Sequence, residues 1–126
     1  MILSRDSIIA RNDLPRHSVE VIEWGGEVLL RECDLVGLER LEKLVRQAKD
    51  DDIANLRASI VQLSLCDEKG NLLFSEDETP LLAQKSAKAL TFLATETFRI
   101  NRLHPTDIEE KEKNLERTIS SDSDIV

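Results

Sequence analysis

The chain has no tyrosine, one tryptophan and three phenylalanines in 126 residues. Aromatic mass with which to line a ligand pocket is therefore scarce, and a core must come from Leu, Ile, Val and Ala. The two cysteines, Cys33 and Cys66, are far apart and have no CxxC or CxxH neighbourhood. That spacing argues against a metal site, and both are expected reduced, as small semi-apolar residues. After Met1-Ile2-Leu3-Ser4-Arg5-Asp6 no long apolar run follows. Neither a secretory leader nor a transmembrane helix is expected, and the protein is assigned to the cytosol. Basic charge is also short: 17 Lys and Arg face 25 Asp and Glu, a net charge of −8. A general nucleic-acid binder needs the opposite balance, because phosphate neutralisation supplies most of that affinity.

Catalytic signatures are missing as well. There is no nucleophile elbow, phosphate-cradling glycine loop or zinc-protease helix. His17 and His104 lie near prolines in expected loops, and no carboxylate sits in an apolar context that would tune it for acid–base work. The expectation is a protein that is not an enzyme and needs no cofactor or metal.

What the chain does contain is one small domain's worth of patterned sequence, 40% hydrophobic in 14.3 kDa. Val19 to Arg31 holds the tryptophan and two of the four glycines. Flanking β-branched residues and Gly25-Gly26 predict a β-hairpin. Residues 1–18, interrupted by Pro15, predict a loosely held arm. Asp34 is positioned to cap a helix with Leu38, Leu41, Leu44 and Val45 on one side, fading near Lys49. Asp50-Asp51-Asp52 then precedes a second helix carrying Ile53, Leu56, Ile60 and Leu63, and complements its dipole.

Asp67 to Asn71 is expected to end that helix and turn the chain, with Leu72-Leu73-Phe74 as a small strand. Thr79-Pro80 predicts the start of a third helix that runs to about Asn101. At about 100° per residue, Leu82, Ser86, Ala89, Leu93, Thr97 and Ile100 share its core face, widened by Ala83, Ala87, Leu90 and Ala94. Thr106 to Glu109 is a capping box into a short, weakly amphipathic helix. The polar stretch 118–126 has too little apolar surface to offset ordering entropy. The fold class is thus mainly α (α+β): an N-terminal β-hairpin and a compact bundle of about four helices over 19–117, between an arm and an acidic tail.

A second apolar line is expected on the third helix. Leu81, Phe92 and Leu103 are spaced eleven apart, about three turns, and fall opposite the core face among Lys85, Lys88, Glu96 and Arg99. They either receive a helical partner or pack at the helix ends and against a neighbour. Trp24 has the same two readings: a staple between hairpin and helix, or an aromatic anchor for a partner.

The order of these pieces resembles a known family. A strand ending in Glu-Trp-Gly-Gly, a second ending in Arg31, and a helix near Gly37-Leu38-Glu39-Arg40 are the first of them. Leu56-Arg57-Ala58, Leu63 to Asn71 and Leu73-Phe74 complete a pattern similar to the tail assembly chaperones of long-tailed, siphovirus-like bacteriophages, covering roughly Val19 to Asn114. The resemblance implies a helical, acidic protein of virion morphogenesis in the host cytoplasm, absent from the mature virion. It implies binding to tape measure protein, which is kept soluble while major tail protein polymerises around it. Many such families add a C-terminal extension by programmed frameshift to recruit the tail-tube subunit, so this chain would be the short form. Nucleic acid and membrane are not expected partners, and self-association is left open. The lead-in before the hairpin is longer than the family commonly has, and the tail after Asn114 is polar. A small acidic regulatory or adaptor protein, antitoxin- or inhibitor-like, is the alternative, though its charge would gather on one face rather than intersperse. A structural minor tail protein is a third.

Overall fold

The computed structural model describes residues 1–101. It is α+β: a three-stranded antiparallel sheet whose strands lie side by side in chain order, with helices before, between and after them. Strand β1, Arg16–Val21, pairs with β2, Gly26–Arg31, in a register running from Arg16↔Arg31 to Val21↔Gly26. Alternation drives the pairing: Val19 and Val21 turn inward while Arg16, Ser18 and Glu20 stay exposed. The strand begins three residues before the expected Val19, so His17 is a strand residue rather than a loop residue. Pro15 sits just outside the ladder, and its carbonyl still accepts the Glu32 N–H at 2.9 Å. His17 Nε2 and Glu32 Oε2, 2.9 Å apart, add a side-chain pair across the same end.

The hairpin turn is longer than a Gly-Gly pair. Ile22–Trp24 form one turn of 3₁₀ helix, and Gly25 alone takes the left-handed conformation, φ 71°. Its N–H donates to the carbonyls of Val21 and Ile22 at 3.0 and 3.1 Å, while Gly26 opens β2. The arm is not wholly irregular either. Helix α1, Arg5–Ala10, forms where the Ser4 hydroxyl accepts the Ser7 N–H at 3.2 Å, but it buries no residue.

Helix α2, Leu35–Arg46, is capped as expected, with Asp34 Oδ1 accepting the Gly37 N–H at 2.8 Å. It ends three residues before Lys49. Leu41 is fully buried; Leu38, Leu44 and Val45 are half-buried. Helix α3, Ile53–Gln62, follows the acidic triplet. Asp52 stands at the cap position, yet its carboxylate takes the Asn55 side-chain amide at 2.6 Å, so the triplet supplies charge and no backbone cap bond.

Two expectations fail after α3. The helix stops at Gln62, and the short strand is β3, Leu65–Cys66, paired as Leu29↔Cys66 and Leu30↔Leu65. Leu72 makes only an isolated bridge to Cys66. The extra strand satisfies β2's second edge: the Arg31 N–H donates to the Ser64 carbonyl at 2.8 Å. The expected single helix from Thr79 is also divided. A 3₁₀ turn, Glu76–Glu78, is closed by a capping box between Ser75 and Glu78, leads into α4, Thr79–Ala83, and the chain breaks before α5, Ala87–Asn101. Ser86 opens the new helix, its hydroxyl accepting the Ala89 N–H at 3.2 Å.

The core lies between the sheet, α3 and α5. Leu82, Ala89, Leu90, Leu93, Ala94, Thr97 and Ile100 are buried as the wheel predicts, and Phe98 joins them; Ser86 and Ala83 are half-buried and Ala87 is exposed. Thr97 is buried because its hydroxyl donates back to the Leu93 carbonyl at 2.8 Å. The capping box at Thr106, the helix it opens, the end of the 19–117 unit and the polar tail lie outside the described residues.

Candidate functional site

The buried polar groups lock elements together rather than assemble a reaction centre. Arg31 reaches from β2 to the turn at Gly70, donating from Nη1 to its carbonyl at 2.8 Å, while its Nε is buried without a partner. Gly70 holds φ 89°, and a Cβ there would meet the Arg16 guanidinium at 3.0 Å. The turn is tied by Asp67, whose carboxylate accepts the Lys69 and Asn71 N–H groups at 2.8 and 2.9 Å. Those bonds, Asn71's foremost, hold the Asp67 carboxyl below its ordinary value.

Cys33 and Cys66 are free thiols. Burial pushes both pKa values up, and the nearby Ser64 hydroxyl and Arg31 charge only partly oppose this at Cys33. Such thiols are poor nucleophiles and weak metal ligands. Among the described residues no cluster of three or more His, Cys, Asp or Glu could hold a metal ion. No described helix is long and apolar enough to cross a membrane.

What the described surface offers is apolar side chains held outward, most of them in three groups. The arm presents Ile2, Leu3, Ile8 and Ile9, all more than half exposed. The first turn of α2 presents Leu35 at 80% and Val36 at 76% exposure, and α4 and α5 present Leu81 at 52% and Phe92 at 41%. From Val36 a groove of about 500 Å³ runs along α2 past Glu39, Arg40 and Lys43 to Leu44 and Gln47. Glu76 closes its far side, fixed there by an ion pair with Arg40.

Leu81 and Phe92 both face solvent, but the reason expected for their alignment does not hold. The wheel assumed one continuous helix, and the break at Gln84 to Ser86 puts them on separate helices. Leu103 lies outside the described residues. Trp24 is half-buried and packed against the core, in a turn that lies on α5. The exposed apolar residue at the hairpin tip is its neighbour Ile22, at 81%. Leu35 and Val36 were missed by the sequence reading. Leu35 falls three residues before Leu38 and so has core spacing, yet it stands in solvent.

No family model matches the sequence, and no curated protein matches it. Among solved structures, the tail assembly chaperone of bacteriophage HK97 is similar, with a TM-score of 0.54 and 21% identity over 68% of this chain and 84% of that one. The chain has the fold of a tail assembly chaperone. At that identity the likeness is one of fold.

Proposed function

We propose that this chain is a tail assembly chaperone of a long-tailed bacteriophage. It binds tape measure protein, keeps that long helical chain soluble in the host cytoplasm and promotes tail-tube assembly without remaining in the finished particle. It acts by binding alone, with no cofactor and no catalysed step. Contact with major tail protein falls mainly to a frameshifted longer form. The observation that carries this reading is the fold shared with the HK97 chaperone. The outward apolar residues on α2, α4 and α5 support it, because a helical client with an apolar stripe needs such a surface. The net charge of −8 supports it too, since a charged complex resists precipitation.

Co-expression with the tape measure protein from the same gene cluster is the test. The client should move from the pellet to the soluble fraction and co-purify with this chain. Phe92→Ser should weaken co-purification by about 1–3 kcal/mol, the usual cost of one interface anchor, while leaving the melting temperature unchanged. A client that stays insoluble and unbound would overturn the reading.

A further inference from the structure

We propose that the outer face of the β1–β2 hairpin is a docking surface for a second copy of this chain, turned so that Arg16 and Arg31 of one copy lie over Glu20 and Glu27 of the other. The first observation is a pair of like charges towards each end of the ladder. Register sets Arg16 directly opposite Arg31 and Glu20 directly opposite Glu27, with Ser18 opposite Leu29 between them. Directly opposed residues share a face of the sheet, and Val19, Val21 and Leu30 on the other face pack in the core, so these six side chains form the outer one. Like charges directly opposite each other destabilise an antiparallel pair, and this face carries two such pairs. No described side chain offsets them. Arg16, Glu20 and Glu27 are exposed, and none of the four charges has an ion pair among the described residues. Arg31 donates to the Gly70 carbonyl, a neutral acceptor that leaves its charge uncompensated.

The second observation is that the pattern complements itself under one rotation. A two-fold axis between the stacked faces, running across the strands through the row of Ser18 and Leu29, places β1 on β1 and β2 on β2 with their directions reversed. Arg16 then stands over the partner's Glu20 and Arg31 over the partner's Glu27, and symmetry repeats both contacts, so all the charged pairings are of opposite sign. An axis along the strands would instead set Arg16 over the partner's Arg31 and Glu20 over the partner's Glu27. Charge therefore selects the register as well as the partner. Stacked sheets lie about 10 Å apart, a gap that extended Arg and Glu side chains bridge, and half-buried Leu29 meets its own copy beside the axis. A protein of another kind would need the inverse charges at the same spacing of about 13 Å, four residues of strand; a second copy already carries them. A face of six side chains is well short of the about 20–30 residues a side of a standard interface, so the dimer is weak and better trapped than isolated. This inference does not rest on the chaperone reading.

The test is cross-linking of the full chain across the axis. Ser18→Cys sets a thiol level with the same residue of the partner, and a bismaleimide spanning about 10 Å should capture a dimer on a denaturing gel. The unmodified chain, with Cys33 and Cys66 alone, gives the background. On the Ser18→Cys chain, Arg16→Glu or Glu20→Arg makes the two contacts between positions 16 and 20 repulsive, and capture should fall to background. Neither swap should harm the fold, because each turns a like-charge pair within the hairpin into an opposite one; circular dichroism melts check this. Mixing the two swapped chains makes every contact favourable again, and capture should return as a heterodimer. Capture that is absent from the Ser18→Cys chain, indifferent to either swap or not restored by mixing overturns the proposal, and its absence would leave the face to a different protein.

Discussion

Helices α1 and α5 begin in the same way and end in opposite circumstances. Each is opened by a serine hydroxyl that accepts an amide three residues on, Ser4 from Ser7 and Ser86 from Ala89, both at 3.2 Å. Yet α5 buries seven of its fifteen residues and α1 buries none of its six. The cap decides where a helix starts; burial decides what depends on it. A six-residue helix alone is below the length at which backbone bonds offset nucleation, so α1 contributes little to global stability. The largest expected effect follows directly. Leu93→Ala, at a position with no exposure, should cost about 2–5 kcal/mol in chemical denaturation, whereas Ile8→Ala should stay within about 0.5 kcal/mol. Equal costs would mean that α1 packs on something in solution.

The same contrast explains what was readable in the sequence. The buried face of α5 and the Asp34 cap of α2 are local patterns, periodicity and a single side-chain bond, and both appear where expected. The divided third helix was not readable. Ser86 fits a core face by spacing, and only the geometry of the Ala89 bond turns it into a cap. Strand β3 was hidden for another reason: two residues carry no period, and its existence depends on the distant edge of β2. The candidate surface shared both faults. Leu81 and Phe92 are exposed, but their alignment was inferred through a helix that breaks between them. Leu35 has core spacing and stands in solvent, because spacing alone does not say which turns of a helix meet a neighbour.

The two left-handed glycines sharpen the comparison between local and packed causes. Gly25 and Gly70 have φ of 71° and 89°, but a Cβ at Gly25 would meet nothing within 4 Å, while one at Gly70 would meet Arg16. Gly70→Ala should therefore cost about 1–2 kcal/mol of backbone strain plus displacement of the Arg16 side chain, and Gly25→Ala the strain alone. Urea denaturation of the pair checks this, and equal losses would show that Arg16 yields freely. Asp67 reads the same turn by pH. Its carboxyl is held below its unfolded value, so the stability it contributes is present above the ordinary carboxylate range and is lost as pH falls through the lowered value. Asp67→Asn should lower the melting temperature near neutrality, where the ionised carboxylate contributes, and flatten its decline below about pH 4.

The smallest expected effect is the most direct test of the opening contrast. Ser4→Ala removes the hydroxyl that opens α1, as Ser86→Ala removes the one that opens α5. The loss at Ser86 should be about 1 kcal/mol, because a frayed first turn of α5 draws Ala89 and Leu90 out of the core. At Ser4 the same chemical deletion should leave the melting temperature unchanged and speed exchange of the α1 amides only, since no buried side chain follows the helix when it opens. A melting temperature that falls at Ser4 as far as at Ser86 would require Ile8 and Ile9 to be buried in solution, either on this chain or on another copy. Dilution separates the two, because only an arm that packs on a second copy loses its contribution as the protein concentration drops.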